Sequence, residues 1–237
     1  ITVTNDDSAF GDDNNDLFLV TENLTLSGII DGGAGTDTLN TGGAITLGSA
    51  VTITGVETLA LDSSLLTMTT AQLDGFTTIV ADLLSTTGNL ALSAGGTATT
   101  AVTGLTTLNV TGSGGNDTLF FTAAGGSPTS IVVNAGNGND SIDTGNGDDV
   151  LNGGIGNDTL DGNTGLDALN GGDGNDTLLV RNGDNASGGN NDDLFQVFGN
   201  QNLVATLDGG AGLDTFEAQG TIDVSNTSAD HAVTIDP

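Results

Sequence analysis

The sequence has 237 residues, 39 glycines, no cysteine and a formal net charge of −30, with Arg181 as the single Lys or Arg against 31 acidic residues. This charge excludes nucleic acid as a partner and disfavours an anionic membrane surface, and the absence of cysteine excludes a disulfide framework. Apolar residues still make up 35% of the chain, which is high for a permanently disordered acidic segment. We therefore expect order that depends on conditions.

The first elements predicted along the chain are two acidic, glycine-containing loops, each followed by a short apolar strand. They are GDDNNDLFL at residues 11–19 and GGAGTDTLN at residues 32–40. In a nine-residue frame both loops carry Asp at position 6, namely Asp16 and Asp37, and a large apolar residue at position 8. A similar pair of loops recurs 177 residues later in the chain, which indicates an internal duplication.

Residues 41–111 keep the glycine and leucine frame of these loops but lose most of the acids. Position 6 changes from Asp to Glu57, Thr77 and Thr106 in the successive segments GVETL, GFTTI and GLTTL. Because β-branched residues favour strands, we predict further turns of the same solenoid, held by apolar burial and largely without cation sites. We expect Glu57 to be a solvated side chain. Residues 65–76 (LLTMTTAQLDGF) are compatible with a short helix or a longer loop.

A third region, residues 112–217, is rich in glycine and aspartate. Residues 135–179 hold five consecutive repeats, AGNGNDSID, TGNGDDVLN, GGIGNDTLD, GNTGLDALN and GGDGNDTLL, each with Gly at position 4, Asp at position 6 and a branched apolar residue at position 8. Related loops precede and follow this block, and the degenerate segment 181–188 has Asn185 at position 6. The position-6 aspartates of the region are Asp117, Asp140, Asp149, Asp158, Asp167, Asp176, Asp193 and Asp214.

The residue types at each position indicate a loop and strand that together can hold a cation. Glycine permits positive φ and close backbone approach, aspartate offers a hard oxygen ligand, and positions 7–9 form a strand whose central side chain points inward. Two repeats would complete one turn, with Asp140 and Asp158 on one edge and Asp149 on the other. Stacked carboxylates about 5 Å apart would repel by about 3 kcal/mol at an effective dielectric constant of about 20. We therefore expect winding to require a cation.

The pattern G-G-x-G-x-D-x-U-x resembles the nonapeptide repeat of the RTX (repeats-in-toxin, haemolysin-type calcium-binding) family. The resemblance implies an all-β fold, a right-handed parallel β-helix or β-roll solenoid whose glycine- and aspartate-rich loops bind several Ca²⁺ ions. It also implies export of the unfolded chain from a Gram-negative bacterium by type I secretion, and a location outside the cell or at its surface. The implied metal ligands are Asp16, Asp37, Asp117, Asp140, Asp149, Asp158, Asp167, Asp176, Asp193 and Asp214.

Four segments are predicted on this basis. Residues 1–40 are N-terminal calcium-binding turns, 41–111 are Thr- and Leu-rich turns largely without calcium sites, 112–217 are an RTX β-roll, and 218–237 are a C-terminal cap or tail. The sequence starts within the repeat pattern, and we expect it to be a piece of a longer chain. It holds no apolar run long enough to span a bilayer.

Candidate catalytic groups are scarce, because the chain has no Lys, no Cys and a single histidine, His231, and lacks a G-x-S-x-G nucleophile elbow. We therefore expect no enzyme activity. The leading hypothesis is an extracellular, calcium-dependent structural solenoid of a surface layer, fibre or large adhesin, which self-associates or continues in a longer chain. The alternatives are the C-terminal secretion and folding module of an RTX protease, lipase or toxin, and an ice- or glycan-binding adhesin module.

Overall fold

The computed structural model describes residues 1–4, 7–21, 24–62, 64–81, 87–123, 130–198, 201–202, 206–219, 222–223 and 235–236. The chain forms two compact units: unit 1 comprises Ile1–Gly112 and Phe121–Thr129, and unit 2 comprises Ser113–Phe120 and Ser130–Pro237. Within each unit the described strands pair in parallel with strands one turn away along the chain. Each unit is therefore a parallel β-solenoid, which confirms the predicted fold class. The finer division into four segments stays a prediction.

The described residues of unit 1 form three parallel sheets. The first sheet holds β2 (Leu17–Val20), β5 (Thr38–Thr41), β8 (Thr58–Leu61), β10 (Thr78–Ala81) and β12 (Gly96–Thr103). The second holds β3 (Leu24–Leu26), β6 (Ile45–Leu47), β9 (Leu65–Met68), β11 (Thr87–Leu92) and β13 (Thr107–Thr111). The third, which the sequence did not predict, holds β1 (Ala9–Phe10), β4 (Ile29–Asp31) and β7 (Thr52–Thr54).

Residues 65–76 of unit 1, for which the sequence allowed either a short helix or a longer loop, contain both a strand and one helical turn. Strand β9 is followed by α1 (Thr70–Leu73), which begins at a capping box. Gln72 N donates to Thr69 Oγ1 over 3.1 Å, and Thr69 N donates to Gln72 Oε1 over 2.8 Å. This reciprocal pair satisfies two backbone donors that a helix start otherwise leaves free. The helix buries Leu73 in the core.

In unit 2 the part of the chain that the structure describes forms two long sheets and one short sheet. The first holds β14 (Asp117–Ala123), whose first four residues belong to this unit, and β16 (Ser141–Asp143), β18 (Thr159–Asp161), β20 (Thr177–Val180), β22 (Leu194–Phe198) and β25 (Thr215–Gln219). The second holds β15 (Ser130–Asn137), β17 (Val150–Ile155), β19 (Ala168–Asp173), β21 (Asn185–Asn190), β24 (Thr206–Ala211) and β27 (Ile235–Asp236). The short sheet pairs β23 (Gln201–Asn202) with β26 (Ile222–Asp223).

Position-8 residues stack into columns that form the core of each unit. In unit 1 Leu39 pairs with Leu59, and Leu59 pairs with Ile79. In unit 2 Leu160 pairs with Leu178 one turn later. All five side chains are fully buried. The alternation of inward and outward residues along each strand therefore matches the nine-residue pattern.

The cores of the two units differ in the number of hydrophobic side chains that they bury. Among the described residues of the unit 1 segment 56–76, eight hydrophobic side chains are buried: Val56, Leu59, Ala60, Leu61, Leu66, Met68, Leu73 and Phe76. The unit 2 segment 141–158 buries two, Ile142 and Leu151. A fully buried branched side chain contributes about 1.5–3 kcal/mol. Unit 2 therefore gains much less from apolar burial per turn than unit 1.

Most of the predicted C-terminal cap or tail, including His231, lies outside the described residues. Within the described residues, 218–219 end β25, and β26 and β27 pair in parallel with earlier strands. No helix in the described part of the chain is long and apolar enough to cross a membrane.

Candidate metal centre

The position-6 aspartates of unit 2 form hydrogen-bonded ladders along the loops. The backbone N–H of each one donates to Oδ1 of the position-6 aspartate in the following turn, as Asp140 N does to Asp158 Oδ1 over 2.8 Å. One ladder runs over six residues with steps of 2.8–2.9 Å: Asp117, Asp140, Asp158, Asp176, Asp193 and Asp214. The opposite edge carries a second ladder in which Asp149 N donates to Asp167 Oδ1 over 2.9 Å. Each carboxylate thus has one oxygen satisfied by backbone.

The second carboxylate oxygen is buried and has no hydrogen-bond partner among the described residues. This holds for Oδ1 of Asp117 and for Oδ2 of Asp37, Asp140, Asp149, Asp158, Asp167, Asp176, Asp193 and Asp214. Apart from Asp214, which is half-buried, these residues are at most 2% exposed. A buried carboxylate oxygen without a partner is costly. A cation beside it would remove that cost.

The glycine at position 1 leaves the space in which the carboxylate sits. A Cβ placed on Gly153 would lie 2.3 Å from Asp158 Oδ2 and 2.7 Å from the carbonyl oxygen of Gly171. The next turn repeats this arrangement with Gly171, where a Cβ would lie 2.2 Å from Asp176 Oδ2. A carboxylate oxygen and a carbonyl oxygen therefore converge on the same point. Such an all-oxygen donor set suits Ca²⁺.

The loop backbone depends on residues that tolerate positive φ. Gly156, at position 4, has a φ of 135°, and Gly154, at position 2, has a φ of 117°, values that residues with a Cβ rarely adopt. In one repeat Asn163 takes position 2 with a φ of 62°, and asparagine is among the few non-glycine residues that enter this region. The glycine pattern is therefore a requirement of the loop geometry.

The acidic side chains of these loops do not by themselves form a complete ligand set. Within the described ranges, no group of three or more His, Cys, Asp or Glu side chains is arranged to hold a metal ion. The position-6 carboxylates lie along the loops in single file, one per turn on each edge. An ion bound here would therefore need backbone carbonyl oxygens in addition to carboxylates.

Burial makes the negative charge of these carboxylates unfavourable. Desolvation is the largest cause, and it raises the pKa of Asp158 to about 6, of Asp167 to about 7 and of Asp193 to about 6. Neighbouring carboxylates raise these pKa values further, and hydrogen bonds from the backbone oppose the shift. The pKa is raised for the same leading cause at Asp117, Asp140, Asp149 and Asp176. A cation would favour the charged form.

The comparison with protein families agrees with this geometry. The RTX calcium-binding nonapeptide repeat (4 copies) matches residues 29–44, 132–160 and 152–186. Residues 29–44 and 132–186 of the chain are therefore RTX calcium-binding nonapeptide repeats. No curated protein and no solved structure matches the chain. RTX repeats bind calcium, which confirms Ca²⁺ as the predicted ion; the number of ions and the individual ligands stay predictions.

All ten predicted ligands take part in ladder steps between two position-6 aspartates. Asp16 starts the ladder of unit 1 by donating its N–H to Asp37 Oδ1 over 2.7 Å. Asp16 differs from the others because it is half-buried and its Oδ2 accepts a hydrogen bond from Asp12 N over 2.9 Å. The structure thus places the predicted residues in two edges of unit 2 and one of unit 1.

One ladder residue was missed because the repeat loses a residue. The sequence pattern placed Asn185 at position 6, but Asp167 N donates to Asp184 Oδ1 over 3.1 Å, and Asn185 instead pairs with Ala168 in the adjoining strand. This turn is 17 residues long rather than 18. Aligning DNASGG with DALNGG would have revealed the deletion.

Glu57 was also predicted wrongly. Its Oε2 accepts the N–H of Asp37 over 2.9 Å, so it occupies the place of a position-6 aspartate in unit 1 and is half-buried. A glutamate side chain is one methylene longer than aspartate but can still reach the amide of the preceding turn. The substitution at position 6 hid a residue that continues the ladder.

A second ladder of hydrogen bonds, at position 5, links the RTX loops, and its N–H groups donate to the preceding turn rather than to the following one. Asn139 N donates to Asn116 Oδ1 and Asn157 N donates to Asn139 Oδ1, each over 2.9 Å. On the other edge Asp148 Oδ1 accepts from Leu166 N over 2.9 Å. The recurrence of Asn or Asp at position 5 was the available signal in the sequence. They hold successive turns together through side chains exposed to water.

The one arginine of the chain neutralises a pair of stacked acids. Asp143 and Asp161 lie opposite each other at the ends of adjacent strands. Arg181 forms an ion pair with Asp161 and donates from Nη2 to Asn163 Oδ1 over 3.3 Å. Asn163 in turn donates from Nδ2 to Asp143 Oδ1 over 2.5 Å. The arginine thus serves as an internal cation beside the loops.

Proposed function

We propose that the chain is an extracellular, calcium-dependent structural solenoid without catalytic activity, part of a surface layer, fibre or large adhesin, which folds after type I secretion. The observation that carries this proposal is the file of buried, unpartnered carboxylate oxygens in the loops. A protein that must bury so many acids needs a cation at each position to fold, and a structural scaffold is the role in which such a requirement is useful.

Calcium would act by stabilising the folded state of unit 2. Its thin core gives little apolar stabilisation per turn, and its stacked carboxylates oppose winding through desolvation and mutual repulsion. When bound, the ion supplies positive charge to the carboxylates of Asp140, Asp158 and Asp176 and their equivalents. Binding free energy then becomes folding free energy.

The same dependence suits secretion. Extracellular calcium modules bind with a Kd of about 10⁻⁴–10⁻³ M, so sites of this kind stay empty where free calcium is scarce. The chain would then remain unwound inside the cell and wind outside it. RTX repeat proteins are typically secreted, which supports this step.

The repeated architecture supports a scaffold that can be extended. The loop pairs containing Asp16 and Asp193 are separated by 177 residues and form the same ladder step, over 2.7 Å to Asp37 and 2.9 Å to Asp214. In a solenoid each turn contacts only its neighbours, so turns can be duplicated without disturbing the rest. A fibre or surface layer that grows by the addition of turns would use this property.

The proposal of a structural rather than an enzymatic role rests on how the acids are used. The carboxylates that could act as general acids or bases are engaged in ladders within the described loops. The stacked acids Asp143 and Asp161 are engaged with Asn163 and Arg181. A functional assembly needs no chemistry from them beyond cation binding.

The test is a calcium titration of the purified chain followed by circular dichroism, with electron microscopy of the calcium-loaded sample. We expect β-sheet signal to appear with calcium and to disappear with EGTA, and we expect ordered assemblies at millimolar calcium. A spectrum that EGTA leaves unchanged would sink the folding proposal. Isolated particles, together with a catalytic domain upstream in the parent gene, would favour the secretion and folding module instead.

A further inference from the structure

Unit 1 contains a ladder step that departs from the family pattern. The matched repeat ends at residue 44, yet the ladder continues beyond it, because Asp37 N donates to Glu57 Oε2 over 2.9 Å after Asp16 N has donated to Asp37 Oδ1 over 2.7 Å. A glutamate therefore occupies a position that the repeat pattern reserves for aspartate. The turn between Asp37 and Glu57 has 20 residues, compared with 18 in the regular turns.

The carboxylate of Asp37 is the group in this step that needs a partner. Asp37 is 0% exposed, and its Oδ2 has no hydrogen-bond partner among the described residues. The single arginine of the chain, Arg181, pairs with Asp161 in unit 2. The buried charge of Asp37 therefore lacks a neutralising side chain in the described part of unit 1.

The surroundings of Asp37 Oδ2 repeat the geometry of the regular sites. A Cβ placed on Gly32 would lie 2.4 Å from Asp37 Oδ2 and 1.9 Å from the carbonyl oxygen of Gly55. The corresponding distances at Gly171 are 2.2 Å to Asp176 Oδ2 and 2.6 Å to the carbonyl oxygen of Gly188. The same two kinds of oxygen converge in both places.

We propose that Glu57 supplies a carboxylate to a calcium site in unit 1, shared with Asp37 and completed by backbone oxygens that include the Gly55 carbonyl. The inference rests on the proposed calcium-dependent fold and assigns it a ligand outside the repeat pattern. The column of sites ends here because the next position-6 residue is Thr77, whose N–H and hydroxyl both donate to the Glu57 carbonyl oxygen, over 2.9 and 3.1 Å. Threonine brings no charge to a further site.

The experiment counts calcium ions bound to the full chain by equilibrium dialysis, for wild type and for Glu57→Gln, Glu57→Asp and Glu217→Gln. Glutamine keeps an amide oxygen that can accept the Asp37 N–H, so the ladder survives while the charge is lost. Glu217 is an exposed strand residue that accepts a hydrogen bond from Gln196, and it provides the matched control. We expect Glu57→Gln to bind one ion fewer near the wild-type midpoint, whereas Glu57→Asp and Glu217→Gln bind the wild-type number.

Equal binding by Glu57→Gln and Glu217→Gln would overturn the inference. If Glu57→Gln does not fold even at saturating calcium, the pair Glu57→Asp and Glu57→Asn decides, and equal ion counts in that pair again overturn it. Asp158→Asn separates this inference from the proposed function. Loss of ions in Asp158→Asn but not in Glu57→Gln leaves the calcium-dependent fold standing and removes the Glu57 site, whereas a wild-type chain that binds no calcium removes both.

Discussion

Unit 1 and unit 2 wind the same kind of parallel turn with different sources of stability. Between residues 56 and 76 unit 1 buries eight hydrophobic side chains, whereas residues 141–158 of unit 2 bury two. Unit 2 instead buries one position-6 carboxylate at each loop, such as Asp149 and Asp158, with one oxygen left unpartnered. The difference indicates that the nine-residue frame specifies the path of the chain in both units, while the residue at position 6 determines whether a carboxylate is buried in the loop.

The largest effect is expected on removal of calcium. With EGTA, amides in residues 141–194 should lose nearly all protection from hydrogen exchange, because their carboxylates then lack a counter-charge. Amides in residues 58–111 should keep much of theirs, since apolar burial holds those turns. Hydrogen exchange read by mass spectrometry measures both regions in one sample. Equal loss in the two regions would break the comparison.

A single ligand should produce a smaller, graded effect. Asp158→Asn keeps an oxygen for the Asp140 N–H but removes the charge beside Gly153 and the Gly171 carbonyl oxygen. We expect the calcium midpoint of folding to rise by about tenfold, which corresponds to about 1.4 kcal/mol. The matched control is Asp173→Asn, because Asp173 is an exposed acid at the end of β19 that accepts a hydrogen bond from Asn190. A shift of the same size in the control would contradict a special role for position 6.

The pH dependence of the calcium-free chain sharpens the comparison. Burial raises the pKa of Asp158 to about 6 and of Asp167 to about 7, from an ordinary value of 3.8. The wound state therefore binds more protons than the unwound state, and its stability is fully present below pH 3.8 and falls as the pH rises through 6 to 7.

We thus expect the calcium-free chain to gain β-sheet circular dichroism when the pH is lowered from 7.5 to 5. High salt at pH 7.5, which screens exposed charges without removing the desolvation of buried ones, should reproduce little of this gain. If salt alone restored the signal, general charge repulsion rather than burial of these carboxylates would be the cause. With calcium present the trend reverses, because protons compete with the ion for the same carboxylates.

The smallest effect concerns the arginine of unit 2. Arg181→Met removes the ion pair with Asp161 and leaves Asp143 and Asp161 stacked without a counter-charge. Because both partners are partly exposed, we expect a loss of about 1–2 kcal/mol in the free energy of unfolding, measured by urea denaturation at saturating calcium. Arg181→Lys should lose less, since it keeps the charge. No difference between the two variants would show that packing rather than charge matters.

Much of the fold followed from the repeat, and the misses have definite physical causes. Position 8 marked the core correctly at Leu39 and Leu160, because an inward side chain must be apolar whichever ion the loops bind. The third sheet of unit 1 was missed because its strands arise from the extra length of the turns. The nine-residue pattern does not cover these additional residues.

The position-6 residues of the loops were predicted correctly where the nine-residue spacing and the aspartate are kept. They were predicted wrongly where either one changes. A deleted residue moved position 6 from Asn185 to Asp184, and a longer side chain disguised Glu57 as a solvated acid. In both places the ladder step is conserved in the structure although the spacing or residue type changes. Hydrogen bonding between turns tolerates such changes more readily than a nine-residue pattern does.

Every hydrogen bond of the position-6 ladder runs from an N–H to a carboxylate in the following turn. The N-terminal and C-terminal sides of a turn in this ladder are therefore not equivalent. Each buried Asp N–H reaches toward the turn that follows it in the chain, as Asp158 N does to Asp176 Oδ1 over 2.8 Å. Removal of turns from the C-terminal side would leave a buried N–H donor without its acceptor. Removal of turns from the N-terminal side would instead leave a carboxylate oxygen free to accept a hydrogen bond from water or to bind an ion. We therefore expect winding to proceed from the C-terminal side toward the N-terminal side, because each finished turn offers the carboxylate oxygen that the Asp N–H of the preceding turn needs.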